Sequence, residues 1–214
     1  MKQGIFAIIL MLTAAFSLQA QVDPKAKAVL DKVSAKVKSY NSYKVSFTYE
    51  LSMPQSKTTQ KKEGELTVKG SKYFLNFAGQ MVYCDGVNVV SYNEANNEAN
   101  VELVEDQDEE SINPTTILTL HENGFKQRYV KEEVVSGKKT VHIDLYPLEP
   151  KKKEYTIVSI YIDDASKHVN KAIVKGRNGS TYTYMVKSLT PNVAVQDASF
   201  IFDKSKYPGV KVIK

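Results

Sequence analysis

The stretch SYKVSFTYELSM, residues 42–53, decides the class of fold. Large apolar or aromatic side chains occupy every second position, and polar side chains occupy the positions between them. A two-residue period places the two sets on opposite faces of a β-strand, so the pattern predicts one buried and one solvated face. The apolar set consists of Tyr43, Val45, Phe47, Tyr49, Leu51 and Met53.

The same period returns along most of the chain, with turn sequences such as Asp85-Gly86 and Asn178-Gly179 between the runs. No alternation of strands with helices appears, which favours an antiparallel sheet that curls on itself. The fold class is therefore mainly β (α+β), an open, half-closed antiparallel barrel of about ten to eleven strands. We place its last strand at 200–202. The repeating runs are GELTVKG, KYFLNFA, MVYC, VNVVSYN, VELV, FKQRYVKEEVV, KTVHIDLYP, YTIVSIYID, VNKAIVKG and TYTYMVKSL.

An amphipathic helix precedes the first strand in DPKAKAVLDKVSAKVKSY, residues 23–40. Asp23 is the expected N-cap and Pro24 occupies the first helical position. Apolar residues at helical spacing form one face that can cover the sheet. This covering face consists of Val29, Leu30, Val33 and Val37.

A second, short helix is predicted in NPTTILTLHENG, residues 113–124. Asn113 is its expected cap, Pro114 its first residue, and Gly124 ends it. It carries three apolar residues, Ile117, Leu118 and Leu120, which we predict to form a small lid over the concave apolar face of the sheet.

The first twenty residues, MKQGIFAIILMLTAAFSLQA, predict a secretory signal peptide that is cleaved near Ala20. An uncleaved anchor is the alternative. We expect residues 21–214 to form a single domain in the periplasm. No Cys follows the apolar run to accept a lipid, and the single Cys84 has no internal disulfide partner, so packing must stabilise the fold.

Composition and motifs exclude several classes of function. The net charge of +5 comes from scattered lysines, without the clustered Arg and aromatic residues of a nucleic-acid surface. His121, His142 and His168 lie in three different elements, without neighbours at metal-ligand spacing. None of the better-known phosphate-loop, nucleophile or paired-cysteine motifs is present, so we expect no enzymatic activity, no metal and no cofactor.

Together the signal peptide, the N-terminal helix and the order of several motifs resemble a known family. These motifs are SYKVSFTYE, GELTVKGSKYFLNF, YCDGVNVVSYNEANNEANV, NPTTIL and FIFDKSKYPGVKVI. In this order they resemble the LolA-type periplasmic carriers of outer-membrane lipoproteins over nearly the whole mature chain. The resemblance implies a half-closed barrel whose apolar face holds the acyl chains of lipoproteins during transfer from the inner to the outer membrane.

The predicted acyl pouch combines the apolar sets of three strands of the predicted sheet. Its residues are Val45, Phe47, Tyr49, Leu51, Tyr73, Leu75, Phe77, Met81 and Tyr83. The resemblance further implies three partners: acylated lipoproteins, an inner-membrane lipoprotein-release transporter and an outer-membrane receptor. We expect a monomer that contacts membrane complexes transiently and binds no nucleic acid.

One departure from the family concerns the expected latch of the lid. Many family members carry Arg and then Pro directly after the VK of the strand that corresponds to GELTVKG here, and that Arg serves lid closure. This chain has Gly70 and Ser71 there, flanked by Lys69 and Lys72, so we assign the lid-latch region to Lys69, Gly70 and Lys72. The family's following aromatic pair corresponds either to Tyr73 and Leu75 or to Phe74 and Asn76; the apolar phase favours the first.

The alternative function is a non-enzymatic envelope module with the same fold that binds a protein partner or senses lipid. Such a protein-binding module pairs its exposed strands with a partner edge and has a fully packed core. Tyr-rich alternating strands are compatible with that core as well as with a ligand pouch. A carrier is distinguished by lipid binding to the apolar interior.

Overall fold

The structure is a computed structural model that describes residues 23–54, 58–106, 115–135 and 137–213. One α-helix precedes twelve strands in this part of the chain. Their bounds are α1 (Pro24–Lys38), β1 (Tyr43–Met53), β2 (Thr58–Lys69), β3 (Lys72–Phe77), β4 (Gln80–Cys84), β5 (Asn88–Asn93), β6 (Glu98–Leu103), β7 (Phe125–Val135), β8 (Lys138–Pro147), β9 (Tyr155–Asp163), β10 (Val169–Gly176), β11 (Thr181–Pro191) and β12 (Lys211–Ile213).

All twelve strands belong to one open sheet with the order β12-β6-β5-β4-β3-β2-β1-β11-β10-β9-β8-β7. Every neighbouring pair is antiparallel except β12 and β6, which run parallel. The two edge strands, β7 and β12, do not pair with each other, so the sheet is not closed into a barrel. The predicted fold class, a mainly β, open antiparallel fold with an N-terminal helix, is confirmed, with twelve described strands instead of about ten to eleven.

β1 lies in the middle of the sheet, between β2 and β11. Its apolar residues pair with apolar or small residues of both neighbours: Val45 lies opposite Leu66 and Leu189. Because buried residues of β1 to β3 and of β8 to β11 share one core cluster, the sheet is curled around that core. We call the face that lines this core the concave face and the opposite face the convex face.

Gly64 of β2 leaves space for an aromatic ring on the concave face. It lies opposite Phe47 on one side and Phe77 on the other. A Cβ atom at this position would collide with the Phe47 ring and come within 2.9 Å of the Phe77 ring. The absence of a side chain therefore allows the two phenylalanines to pack, with ring centroids 5.6 Å apart.

The convex face of β3 to β6 has a cover of its own, formed by the C-terminal segment 192–213. Phe200 is completely buried, and Phe202 stacks on Tyr207 with ring centroids 5.0 Å apart. The segment packs on Tyr92 and Ala99, which form the second apolar cluster with Val210. The prediction of a strand at 200–202 is wrong. Phe200 is the last residue of a 3₁₀ turn, and residues 201 and 202 are not in a strand. The two phenylalanines cover the sheet instead of extending it.

Two predicted pouch residues belong to this second cluster. Met81 pairs with Asn76 and Tyr83 with Phe74, so both point to the convex face, while Val82 lies opposite Leu75 on the concave face. The Tyr83 hydroxyl contacts the Tyr207 hydroxyl at 2.7 Å. The prediction that Met81 and Tyr83 line the concave face is therefore wrong. Both faces of β4 are apolar, and the C-terminal segment covers the face that carries Met81 and Tyr83.

The predicted lid helix is also shorter than expected. Asn113 and Pro114 lie outside the described residues, residues 115–119 form turns, and Leu120–Glu122 form one 3₁₀ turn. Threonine has a low helix propensity, and it occurs three times in 115–119. We call residues 115–122 the lid segment. Across the described ranges, no helix has the length and apolar character required to cross a bilayer.

Candidate functional site

The concave face brings together seven of the nine predicted pouch residues. Val45 and Phe47 are almost fully buried, at 3% and 4% exposure. Strand alternation and the unbroken β1–β2–β3 register place the others beside them. These seven residues are Val45, Phe47, Tyr49, Leu51, Tyr73, Leu75 and Phe77.

Several residues of this face were not among the predicted site residues. Leu66 and Val82 belong to β2 and β4, and Tyr182, Tyr184 and Val186 belong to β11. The alternation in TYTYMVKSL contains the signal for the β11 residues. What the sequence does not contain is the pairing of β11 with β1, which joins residues 129 to 148 positions apart.

The lid segment inserts two apolar side chains into this face. Ile117 and Leu118 are only 7% and 3% exposed. They contact β1, β2 and β11 around a residual cavity of about 10 Å³, which is room for no more than one water molecule. Its lining consists of Val45, Phe47, Leu66, Ile117, Leu118, Tyr184 and Val186. Leu120 is half-buried against the same core. The lid residues thus occupy the space that a ligand on the concave face would need.

An aromatic group lies at the adjoining end of the concave face. Tyr49 has Phe77 and Tyr184 as neighbours, each with its ring centroid 5.3 Å away. Tyr182 adds a third contact at 6.3 Å. Burial raises the pKa of both Tyr49 and Tyr184, so their hydroxyls stay uncharged at neutral pH. This end of the face is therefore apolar, uncharged and only half-buried at Tyr49, Phe77 and Tyr182.

Helix α1 covers another part of the concave face, as predicted. Leu30, Val33 and Val37 are buried in the core, and Val29 packs against it. Asp23 caps the helix by accepting hydrogen bonds from the amides of residues 25 and 26, and its second oxygen accepts one from the Tyr129 amide of β7 at 2.8 Å. These bonds attach the start of the helix to the edge of the sheet.

Similarity to known proteins identifies the family of this chain. A search of curated proteins found none with significant similarity to the chain. The model of the family described as "Outer membrane lipoprotein carrier protein LolA" matches residues 38–203, well over half of the chain. The chain belongs to the LolA family.

Solved structures resemble this chain at low sequence identity. An uncharacterized conserved protein from Thermus thermophilus is 10% identical, with 88% of this chain and 98% of that chain covered and a TM-score of 0.61. A DUF1329 family protein from Desulfovibrio piger is 12% identical, with coverages of 85% and 98% and a TM-score of 0.50. A LolA superfamily protein from Nitrosomonas europaea is 10% identical, with coverages of 83% and 97% and a TM-score of 0.46.

The residues of the predicted lid-latch region contact the C-terminal segment. Lys69 and Lys72 each bind one carboxylate oxygen of Asp197 at 2.7 Å, and these hydrogen bonds lower the pKa of Asp197 to about 2. Gly70 lies between the two lysines in the β2–β3 turn, with a positive φ of 60°. The described contacts of this turn therefore bind the C-terminal segment at Asp197. The role of this turn as a latch for the lid segment stays a prediction.

The lid segment is instead bound to helix α1 through a buried histidine. His121 is 3% exposed, and its Nε2 lies 2.8 Å from the Ser34 hydroxyl. Beside it, Lys38 of the helix forms an ion pair of 3.0 Å with Glu122. Burial lowers the pKa of His121 below its ordinary value of 6.5, although Glu122 and a hydrogen bond to the Leu30 carbonyl raise it in part. His121 is therefore neutral at neutral pH.

We expect mild acid to lower the free energy of unfolding through protonation of His121, at a higher pH than that at which the carboxylates protonate. The unfolded chain binds a proton to this histidine at about pH 6.5, whereas the folded protein binds it only at a lower pH. Its contribution to the free energy of unfolding is therefore complete above pH 6.5 and is lost as the pH falls through the folded pKa. Urea unfolding at about pH 7.5 and pH 5.5 measures this loss.

The His121→Gln variant should show a smaller difference between the two pH values than the wild-type protein. His168 binds the Tyr40 hydroxyl at 2.7 Å, and burial lowers its pKa too, so the remaining difference should disappear in a variant that also carries His168→Gln. An unchanged difference in His121→Gln would mean that the lid segment is not a pH-sensitive part of the fold.

Around this junction the surface forms an open groove of about 830 Å³. Helix α1 contributes Leu30 and Ser34, and the chain after the lid segment contributes Phe125 and Gln127. The groove lies beside the lid segment, whose His121 and Glu122 form part of its lining. In the residues that the structure describes, no cluster of three or more His, Cys, Asp or Glu is arranged to hold a metal ion.

Proposed function

We propose that this protein is a periplasmic carrier that binds the acyl chains of lipoproteins on its concave face and transfers them from the inner to the outer membrane. Ile117 and Leu118 carry the proposal: both are buried among the pouch residues, and only about 10 Å³ of cavity remains. An acyl chain enters this face when the lid segment leaves it. Membership of a family described as lipoprotein carriers supports the same ligand.

Competition between the lid segment and the bound acyl chain lowers an affinity that would otherwise be too high for release. Burying about 15 methylenes at roughly 0.8 kcal/mol each contributes an upper limit of about 12 kcal/mol before the cost of association. Two apolar lid side chains give up roughly 3–6 kcal/mol when they leave the core. The carrier therefore retains a smaller net affinity, and the lid can return when the cargo leaves. No ATP is needed for this exchange.

The sequence and the family support a proposal for location and partners. The predicted signal peptide at 1–20 supports export, and the family description supports a carrier of outer-membrane lipoproteins. We propose an inner-membrane lipoprotein-release transporter as the source of cargo and an outer-membrane receptor as its destination. The carrier binds and releases without covalent chemistry, so the function requires no catalytic residue.

Native mass spectrometry of the chain from residue 21 onwards, purified without detergent, tests the proposal. We expect a complex with a synthetic triacylated lipopeptide and none with the same peptide lacking acyl chains. Hydrogen exchange should increase in the lid segment on binding, while the amides of α1 stay protected. A protein that binds neither form would have a fully packed core, and the protein-binding module would replace the carrier.

A further inference from the structure

Two neighbouring strands separate partway along their length. β10 pairs with β11 from Lys175–Thr181 to Lys171–Met185. On its other side, β11 continues to pair with β1 as far as Tyr43–Pro191. Beyond Met185, one edge of β11 therefore has no strand of the described sheet beside it. The sheet has an opening at this position rather than a continuous wall.

A bulge in β11 accompanies the opening. Phe47 lies opposite Val186 and Ser46 lies opposite Ser188, which leaves Lys187 as the extra residue. As a result Val186 and Leu189 both pack against the main core, while Lys187 and Ser188 are exposed. Bulges commonly redirect side chains next to functional sites.

A cleft of about 570 Å³ occupies the opening, within the range of sites for small ligands. It is lined by residues of both faces of the sheet: Tyr161, Lys171 and Met185 belong to the convex face, whereas Val186 and Leu189 pack in the core. Val186 also lines the residual cavity under the lid segment. One side chain therefore touches both the cleft and the interior that we propose to hold acyl chains.

Positive charge surrounds the outer part of the cleft. Lys138, Lys171 and Lys187 line it, together with the single carboxylate of Asp163. Hydrogen bonds from the Ala165 and Ser166 amides occupy one oxygen of that carboxylate, and its other oxygen lies 3.6 Å from Lys138.

The three lysines have weak or solvent-exposed contacts. The ammonium group of Lys171 lies 3.9 Å from the centre of the Tyr161 ring, and Lys187 forms an exposed ion pair with Glu63 at 2.8 Å. Exposed ion pairs of this kind contribute little and exchange readily. An anion in the cleft can therefore compete with these contacts for all three ammonium groups.

We propose that this cleft is a lateral opening of the apolar interior that binds a single-chain amphiphile with an anionic end, such as a long-chain fatty acid. The lysines bind the anionic group, and the chain passes Val186 and Leu189 into the interior as Ile117 and Leu118 leave it. The inference rests on the proposed acyl-binding function of that interior. The three lysines and the contact of the cleft with the core favour this ligand over a peptide. A peptide strand paired with the free edge of β11 would need neither feature.

Fatty-acid binding to matched lysine variants tests the head-group part of the inference. Palmitate is the probe, and the double variant Lys138→Gln/Lys171→Gln removes two of the three charges. We expect its affinity to fall by about tenfold or more, because charge-assisted hydrogen bonds to the carboxylate are lost. Lys175→Gln, on the same face of β10 but outside the cleft lining, should bind palmitate like the wild-type protein.

A tryptophan reporter tests the path of the chain, since the protein contains no tryptophan of its own. Dibromostearate should quench the fluorescence of a Leu189→Trp variant and leave that of a Val134→Trp variant, at a position that is 74% exposed on β7, unchanged. Equal quenching of the two reporters would overturn the inference.

The triacylated lipopeptide separates this inference from the function on which it rests. If the double lysine variant loses palmitate but still binds the lipopeptide, the cleft is a distinct site. If that variant binds palmitate unchanged while the lipopeptide also binds, the inference fails and the carrier stands. If the wild-type protein binds neither ligand, both proposals fall.

Discussion

Leu118→Ala should lower the stability of the protein and at the same time strengthen its binding of acylated cargo. Leu118 is 3% exposed in the core, and truncation of such a leucine typically costs about 2–5 kcal/mol of unfolding free energy. In the proposed mechanism the same side chain competes with the ligand. Its removal therefore reduces the cost of displacing the lid segment by about 1.5–3 kcal/mol, which corresponds to roughly a tenfold to hundredfold higher affinity.

Leu30→Ala provides the matched control for this variant. Leu30 is 2% exposed in the same core but belongs to α1, which is attached to the sheet through Asp23. We expect a similar loss of stability and little change in affinity for the triacylated lipopeptide. Denaturant unfolding and a binding titration measure the two quantities for both variants.

Two outcomes would contradict this mechanism. Weaker binding by Leu118→Ala would show that Leu118 contacts the bound acyl chain instead of competing with it. Equal gains in affinity for the two variants would show that loosening of the core as a whole, and not displacement of the lid segment, admits the ligand.

Asp144→Ala should destabilise the protein strongly through a different, polar part of the sheet. Asp144 of β8 is 5% exposed on the convex face and accepts hydrogen bonds from the Ser159 hydroxyl at 2.6 Å and the Arg128 guanidinium at 2.8 Å. His142 and Tyr146 lie within 3.3 Å of its carboxylate as well. Burial raises the pKa of Asp144, but hydrogen bonds from Ser159, Arg128 and His142 outweigh this effect and hold it below its ordinary value.

Removing this carboxylate leaves several partly buried donors without an acceptor. The Arg128 side chain is 58% exposed and stays hydrated, so the cost comes from the buried groups left without a partner, typically about 1–3 kcal/mol. Chemical denaturation should therefore show a loss of this size for Asp144→Ala, with a smaller loss for Asp144→Asn, which keeps an acceptor oxygen. The effect should appear without a change in lipopeptide affinity, because the cluster lies on the face opposite the pouch.

Asp197→Ala is the control on the solvent side. Asp197 also binds two cationic groups, Lys69 and Lys72, but its side chain is 55% exposed. Ion pairs in such positions contribute little to stability, so this variant should unfold almost like the wild-type protein. Similar losses for Asp144→Ala and Asp197→Ala would mean that burial does not determine the strength of these contacts.

Local patterns in the sequence were sufficient for helix α1, for most of the strands and for most of the concave face. The period of two in SYKVSFTYELSM predicts β1 and its buried side, because successive side chains in a strand must point in opposite directions. Asp23 followed by Pro24 predicts the start of α1, and the structure shows that cap in place. These features depend on residues within a few positions of each other, so the sequence alone determines them.

Which face of each strand becomes the inside depends on contacts between distant residues. β4 carries Met81 and Tyr83 in one phase and Val82 and Cys84 in the other, so both of its faces are apolar. The C-terminal segment covers the first pair, more than 110 residues later in the chain, and thereby assigns Val82 to the concave face. Periodicity distinguishes the two faces but does not say what will cover each of them.

The lid and the cleft were likewise decided only by the tertiary structure. The sequence determined that Ile117 and Leu118 are apolar and close to a turn, but their burial against β1, β2 and β11 requires the curled sheet. The opening between β10 and β11 arises because β11 follows β1 beyond the end of its pairing with β10. Both features depend on how long-range pairing positions strands in space, and a period along the chain carries no information about that.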